Sequence, residues 1–182
     1  MSFLYFAYGS NMLPARLLAR CPSARVVGRA AARDHDLDFS KPGDDGSGKA
    51  TLFAHAGRTT PGVLYEIADA DLSSLDRAEG AGKGYVREVE FRIACEKDAE
   101  SEATTYIADI RDQGLLPWDW YLALVVAGAR VNGLPEAYCR ALADERFAID
   151  TVPDRSARRI ALEALDAHDF GDYTGLIGRD RQ

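Results

Sequence analysis

A chain of 182 residues, 47% apolar and 28% charged, is long enough to bury a core and too apolar to be disordered throughout. Its net charge of −7 argues against a nucleic-acid partner, because nucleic-acid binders usually carry a basic stripe and none stands out here. The longest apolar run, Tyr121–Ala129, is about half of a membrane span, so we expect no membrane partner.

The cysteines and the N-terminus bear on cellular location. Cys21, Cys95 and Cys139 form an odd, widely spaced set without a Cys-x-x-Cys pair, which suits a reducing cytosol and predicts neither a zinc site nor a disulfide framework. The N-terminus has no charged leader and no cleavage site, so the sequence predicts no signal peptide. We therefore expect a cytoplasmic protein whose cysteines are buried as small apolar side chains.

Strands dominate the first two-thirds of the chain. The aromatic run Phe3–Ala7 predicts a buried strand, and Pro14–Arg20 reads as a short helix with proline early in its first turn. The segment Lys41–Lys49 is dense in Gly, Asp and Ser and should be an exposed loop. Further strands are predicted at Val26–Arg33, Leu37–Phe39, Ala50–Ala54, Pro61–Ile67, Tyr85–Cys95 and Ala103–Ile110.

Helices dominate the last third of the chain, and a second helix interrupts the strands before it. Asp69 is expected to cap a helix that ends at Gly80, and Trp120–Val131 is apolar nearly all round, which indicates a buried helix. From Pro135 to Ala167 the chain is helical and charged. This order favours an α+β fold with a barrel-like or strongly curled sheet over a parallel βαβ sheet.

Two short segments carry the candidate site residues. Tyr8–Asn11 joins a buried strand to a helix start, where backbone N–H groups converge and favour negative charge. There Gly9 allows close approach or a positive φ, and Asn11 can cap the helix. Glu79 ends a helix, where the helix dipole disfavours its ionised form and suits it to general acid and base work. Taken alone, a plain junction and an exposed surface Glu stay open as alternatives.

Common signatures of other chemistries do not occur in the sequence. There is no Gly-x-Ser-x-Gly elbow and no His-Glu-x-x-His motif, and His35, His55 and His168 are too scattered to predict a metal site. The Gly80–Gly84 stretch lacks the Ser or Thr that a phosphate loop needs and follows a helix instead of opening one. We interpret it as a mobile connector and expect neither a metal nor another cofactor.

Seven short motifs occur in the order of one family. They are Phe3–Asn11, Leu37–Phe39, Gly62–Tyr65, Ser74–Gly80, Gly84–Val86, Asn132–Pro135 and Asp172–Gly175. The chain therefore resembles the γ-glutamylcyclotransferases over almost its whole length, and looks closest to the type that acts on γ-glutamyl-amino acids. The opening strand and loop and the Leu-Asp-x-x-Glu-Gly signature are the specific parts of this resemblance.

The resemblance implies a compact α+β fold around a closed or nearly closed mixed β-barrel with flanking helices, as one domain over residues 1–182. It also implies that a small-molecule γ-glutamyl-amino acid is cleaved to 5-oxoproline and a free amino acid. The family's catalytic carboxylate falls on Glu79 and its pocket tyrosine on Tyr121. Its substrate loop falls on Tyr5, Phe6, Ala7, Tyr8, Gly9 and Ser10.

One departure from the shorter members of the family is a helical insertion at roughly residues 145–167. It could alter the pocket rim or the contact of a homodimer, so acceptor size and oligomeric state stay open. Three other functions also stay open. They are a γ-glutamylamine cyclotransferase, a Ser10-dependent amide hydrolase that uses a histidine, and a non-catalytic small-molecule binding module.

Overall fold

Five strands close into a barrel in the computed structural model of the protein, which describes residues 1–96 and 99–178. They are β1 (Ser2–Ala7), β2 (Arg25–Pro42), β3 (Gly48–Ala68), β4 (Tyr85–Cys95) and β5 (Glu100–Ala108). The order around the barrel is β1-β3-β2-β4-β5, and β5 returns to β1 through one parallel pair, Tyr5 with Thr104. The other neighbours pair antiparallel, which confirms the expected mixed barrel.

Helices flank the described barrel: α1 (Pro14–Leu18), α2 (Leu72–Glu79), α3 (Asp119–Val131), α4 (Glu136–Ala143) and α5 (Ser156–Asp166). As its apolar sequence predicts, α3 is buried along almost its whole length. Within the expected insertion lies α5, which packs against α3 and α1. The single domain expected over 1–182 includes residues 97–98 and 179–182, which lie outside the described residues.

β2 and β3 are much longer than the sequence predicts, because four predicted strands join into one hairpin. Their antiparallel ladder extends to Pro42 opposite Gly48. The exposed loop expected at Lys41–Lys49 is therefore wrong in part: the turn between the strands spans only residues 43–47, and Lys41 is buried. Register shifts along the ladder break the alternating pattern and made the strands look short.

The loop after β1 is fixed against β3 and α3. Met12, in the short 3₁₀ turn of this loop, is fully buried. Its carbonyl accepts hydrogen bonds from the Tyr65 hydroxyl and the Asn132 side-chain amide, both at 2.8 Å. Gly128 of α3 lies so close that a Cβ there would come within 2.6 Å of the Leu13 nitrogen. The loop thus has little freedom to move relative to the core.

The two ends of α2 differ in how well the sequence predicts them. The C-terminal end is as expected, because Glu79 is the last residue of α2 and Gly80 follows with a φ of 66°, which glycine adopts freely. The N-terminal end differs from the prediction, because a 3₁₀ turn precedes the helix and Asp69 does not cap it. The Asp71 carboxylate instead accepts hydrogen bonds from the Ser23 amide and hydroxyl, at 3.0 and 2.6 Å, which ties α2 to the segment before β2.

The structure shows how far each cysteine is buried and how long and apolar the helices are. Cys21 and Cys139 are buried, as expected, whereas Cys95 is half-buried. Burial raises the pKa of the Cys21 thiol to about 11. Among the described residues, no helix combines the length and the apolar character needed to cross a bilayer.

Candidate active site

A small pocket with walls that are mostly tyrosine lies beside the loop that follows β1. The empty space within it and at its mouth, open solvent included, is about 290 Å³. It is lined by Tyr5, Tyr8, Gly9, Ser10, Asn11, Ala50, Glu79, Tyr85, Tyr106 and Tyr121. Phenol rings, backbone amides and one carboxylate therefore surround a space that suits a compact polar ligand.

An amide and a guanidinium hold Glu79 in place. Its Oε1 accepts hydrogen bonds from Asn11 Nδ2 at 2.7 Å and from Arg20 Nη1 at 3.0 Å. Asn11 Nδ2 also donates to the Tyr5 hydroxyl at 2.9 Å, and Asn11 Oδ1 accepts from Arg20 at 2.7 Å. Within the described residues, Glu79 Oε2 has no donor. One carboxylate oxygen is thus anchored and the other can exchange a proton with a ligand.

The contacts of Asn11 change one expectation. Asn11 does not cap the helix that follows, since no side chain caps the first amides of α1. Its amide is directed to Glu79 instead, so its place in the motif is explained by the carboxylate. Arg20 adds an ion pair to the same carboxylate oxygen, with its Nη1 3.0 Å from Oε1. A carboxylate with one anchored oxygen and one oxygen that has no donor among the described residues makes Glu79 the candidate for proton exchange with a ligand.

Burial keeps the tyrosines of the pocket neutral. Burial first, and the charge of Glu79 second, raise the pKa of Tyr5 and of Tyr8 well above the usual value. Burial likewise raises the pKa of Tyr85 and of Tyr121. Because a neutral phenol is both a donor and an acceptor, these walls can bind the polar groups of a ligand without adding charge.

Space, and not backbone angle, explains the glycine in the loop. The φ of Gly9 is −112°, which any residue can adopt. A Cβ at this position would lie 3.1 Å from Ala50 Cβ and 3.7 Å from the Tyr121 hydroxyl. The N–H groups of Gly9 and Ser10 donate to no acceptor among the described residues. The loop therefore presents two free donors where a side chain on Gly9 would crowd the pocket wall.

The pocket offers Ser10 no histidine base. The Ser10 hydroxyl accepts a hydrogen bond from Arg16 Nε at 3.0 Å. None of the described residues that line the pocket is a histidine. His168 is bonded elsewhere, to the Ala15 amide at 3.3 Å. The arrangement that a Ser10-dependent hydrolase needs is therefore not assembled here.

The structure brings together most of the site residues that the sequence predicts. Those that line the pocket are Tyr5, Tyr8, Gly9, Ser10, Glu79 and Tyr121. Phe6 and Ala7 are not among the lining residues, although both are buried. Since side chains alternate along a strand, the Phe6 ring lies on the face opposite Tyr5 and stacks on Phe91, with centroids 6.2 Å apart. Phe6 and Ala7 therefore lie outside the pocket wall, and their part in substrate binding stays a prediction.

Several pocket residues were missed in the sequence. Tyr106 lies on β5 and reaches the pocket only because the barrel closes, so no local pattern predicts it. Ala50 contributes its backbone, which accepts from the Tyr85 hydroxyl at 2.6 Å and donates to the Tyr121 hydroxyl at 3.2 Å. Arg20, which pairs with Glu79 without lining the pocket, was missed as well, because it lies beyond the end of α1 at Leu18 and no local pattern marks it.

A wider, positively charged cleft adjoins the pocket. The empty space within it and at its mouth, open solvent included, is about 1180 Å³. It shares Ser10, Glu79, Tyr85 and Tyr121 with the pocket. Its other charged residues are Arg16, Arg20, Lys41, Lys49, Arg77 and Lys83 against Asp44 and Asp45. The entrance of the site is therefore locally basic in an acidic protein, which favours anionic ligands.

The chain is similar in sequence and in structure to known proteins. The AIG2-like family model matches residues 61–142. The chain is 34% identical to the γ-glutamylcyclotransferase of Homo sapiens over 98% of this chain and 85% of that protein. It is 35% identical to the γ-glutamylcyclotransferase of Bos taurus over 78% of this chain and 77% of that protein. A solved structure named γ-glutamyl cyclotransferase has a TM-score of 0.79 at 30% identity, covering 91% of this chain and 99% of that one. The chain therefore belongs to the γ-glutamylcyclotransferase family.

Proposed function

We propose that the protein converts γ-glutamyl-amino acids to 5-oxoproline and the free amino acid in the cytosol, without a cofactor. The observation that carries this proposal is the Glu79 carboxylate, held at Oε1 by Asn11 and Arg20 inside a pocket of neutral tyrosines. The names of the similar proteins support the same reaction. The cytosolic location rests on the three free cysteines.

A γ-glutamyl amide carries its own nucleophile, which explains how a site without an activated serine can act. The α-amine attacks the γ-carbonyl, so that a five-membered lactam forms and the amide C–N bond breaks. The α-ammonium loses two of its three protons on the way to the lactam N–H. One of them reaches the leaving nitrogen as the C–N bond breaks. The other passes to solvent, from which the free amine takes up a proton to become an ammonium. Holding the substrate folded for this attack can contribute about 7–11 kcal/mol to lowering the barrier.

Glu79 is the proposed proton carrier. The ionised carboxylate accepts a proton from the α-ammonium of the substrate and then returns it to the leaving nitrogen. Because Asn11 and Arg20 occupy Oε1, Oε2 is the oxygen assigned to this transfer. One carboxyl group can perform both steps in turn, since the proton that it takes is the proton that it later gives.

The loop after β1 is the proposed anion site. The N–H groups of Gly9 and Ser10, which donate to no acceptor in the described residues, can bind the α-carboxylate or the oxyanion that develops on the γ-carbonyl. Arg16 and Arg20 add positive charge on the adjoining side. The Tyr5 and Tyr121 hydroxyls accept hydrogen bonds from Asn11 and from the Ala50 amide, so their protons can be donated to the glutamyl group.

The products formed from γ-glutamyl-alanine in ¹⁸O-labelled water test this function. We expect 5-oxoproline and alanine in equal amounts, detected by mass spectrometry, with no label in either product, because the attacking atom is nitrogen. A hydrolase would instead release glutamate that carries ¹⁸O. A binding module would release nothing. Either result would contradict the proposal.

A further inference from the structure

Lys41 is a buried cation without an ionic partner. The residue is 9% exposed and lines the basic cleft. Its ammonium lies 4.9 Å from the centroid of the Tyr85 ring. Across residues 1–96 and 99–178, no carboxylate forms an ion pair with it and no acceptor forms a hydrogen bond with it. A buried ammonium is costly unless it is paired, so an anion that reaches this position is bound favourably.

The surroundings of Lys41 are shaped to keep its ammonium in place. Gly84, with a φ of 115°, passes so close that a Cβ there would lie 3.0 Å from Lys41 Cε and 3.3 Å from its Nζ. Tyr85, whose ring faces the ammonium, lines both the pocket and the cleft. Lys41 is thus positioned where the pocket opens into the cleft, on the path of whatever group extends from the reaction centre.

The other cations of the cleft are engaged differently. Lys49 Nζ is paired with Asp45 at 2.7 Å and bonded to the Ser47 hydroxyl at 2.8 Å. Arg20 is paired with Glu79. Lys49 and Arg20 therefore have protein carboxylates as partners, whereas buried Lys41 has only an aromatic ring. Arg16 has no carboxylate partner among the described residues either. It is only half-buried, however, and donates to the Ser10 hydroxyl at 3.0 Å, beside the loop proposed to bind the glutamyl group. That leaves Lys41 as the buried cation of the cleft best placed for a carboxylate of the leaving group.

We propose that Lys41 binds the carboxylate of the leaving amino acid and so selects γ-glutamyl amides whose leaving group carries a carboxylate next to the scissile nitrogen. This inference rests on the proposed function, because it places the glutamyl group in the pocket and the leaving group in the cleft. A γ-glutamyl-amino acid has such a carboxylate one carbon from the amide nitrogen. A γ-glutamylamine has none, so it forgoes the contact with Lys41.

Steady-state kinetics with two matched substrates test the inference. γ-Glutamyl-alanine carries the carboxylate, and γ-glutamyl-ethylamide lacks it. For Lys41→Met we expect KM for γ-glutamyl-alanine to rise at least ~10-fold with kcat nearly unchanged, the effect of losing one charged hydrogen bond. Both constants for γ-glutamyl-ethylamide should stay within about twofold of wild type. Arg25→Met removes an exposed cation outside the cleft and should leave KM and kcat unchanged for both substrates.

The comparison of substrates within one variant separates specificity from folding. Equal losses with both substrates would assign Lys41 to the fold or to the glutamyl group, and unchanged kinetics with both would remove it from binding; each overturns the inference. Lys41→Arg keeps the charge and should retain most of the preference for γ-glutamyl-alanine. If wild type releases 5-oxoproline from neither substrate, the proposed function itself fails. Release by wild type leaves that function standing whatever Lys41→Met shows.

Discussion

At the scale of the residue, the carboxylate of Glu79 is positioned by partners that are themselves positioned. Asn11 is 4% exposed, and its amide contacts Tyr5, Glu79 and Arg20 together. An amide whose nitrogen and oxygen are both hydrogen-bonded is held in one orientation. The conformation of the loop therefore determines where the carboxylate of Glu79 lies. The chemistry of Glu79 and its placement can therefore be tested by separate substitutions.

Replacing the carboxylate tests the chemistry. Glu79→Gln keeps the size of the side chain and an oxygen that can accept from Asn11, but it cannot accept a proton. General acid–base catalysis typically contributes ~10²–10⁴-fold, so kcat for 5-oxoproline release should fall by that order. Calorimetry should show that the variant still binds substrate. Turnover of γ-glutamyl-alanine within a few-fold of wild type would remove Glu79 from the mechanism.

Replacing Asn11, the partner of Glu79, tests the placement of the carboxylate. Asn11→Ala leaves the Glu79 carboxylate free to rotate, and a displacement of about 1 Å can cost ~10²-fold in rate. We expect kcat to fall ~10–100-fold with a smaller change in KM. A double-mutant cycle is the control: in the Glu79→Gln background, Asn11→Ala should cost little more. Additive losses would show that Asn11 acts independently of Glu79.

At the scale of the element, the loop after β1 is positioned by the helix behind it. The middle of α3 approaches the loop so closely that only a residue without a side chain fits at Gly128. The carbonyl of Met12, in that loop, is bonded from β3 and from the residue that follows α3. The site therefore depends on how α3 packs against the loop, as well as on the Tyr121 side chain that α3 supplies to the pocket.

Gly128→Ala tests this packing. The added methyl would lie 2.6–2.8 Å from atoms of Met12 and Leu13, so the loop or the helix must shift. Overpacking of this kind typically costs ~1–3 kcal/mol, which thermal unfolding should show as a lower Tm. Gly28→Ala is the matched control, because a Cβ at Gly28 meets nothing within 4 Å. Equal stability of the two variants would contradict the close approach of α3.

Local signals explain which elements could be predicted from the sequence. β1, α3 and the end of α2 at Gly80 are encoded by apolar runs and a glycine stop, and the structure has all three. The roles of Lys41 and Tyr106 could not be predicted, because each depends on strand pairing across the barrel. Glu79 was identified by its motif, whereas its pairing with Arg20 needs the fold.

At the scale of the whole molecule, buried carboxylates join the C-terminal helices to α3. The side chain of Asp150 is 1% exposed, and it accepts hydrogen bonds from Trp120 Nε1 at 2.8 Å and Arg155 Nε at 2.7 Å. Asp119 accepts from the Asp150 amide at 3.1 Å and from the Tyr173 hydroxyl at 2.8 Å. The segment expected as an insertion is thereby bonded to the helix behind the site.

Acid should weaken this attachment. Burial alone raises the pKa of Asp150, but the hydrogen bonds from Arg155 and Trp120 outweigh it and lower the pKa to about 2. Since the unfolded value is about 3.9, the stabilisation is complete above that pH and is lost as pH falls towards 2. The difference in unfolding free energy between wild type and Asp150→Asn should therefore shrink over that range.

Urea denaturation at a series of pH values measures this difference. Asp154→Asn, which removes an exposed carboxylate from the same segment, controls for the loss of one charge. A difference for Asp150→Asn that stays constant between pH 5 and about 2 would contradict the linkage.

The separation of Glu79 from its partners along the chain links catalysis to folding. Glu79 is 68 residues from Asn11 and 59 from Arg20, and the strands β2 and β3 lie between. The Glu79 carboxylate can therefore accept hydrogen bonds from the Asn11 amide and the Arg20 guanidinium only after the barrel has closed. An incomplete chain or a partly folded intermediate lacks the assembled site. Turnover is thus a reporter of the native state, and its loss in denaturant should coincide with the loss of tertiary structure.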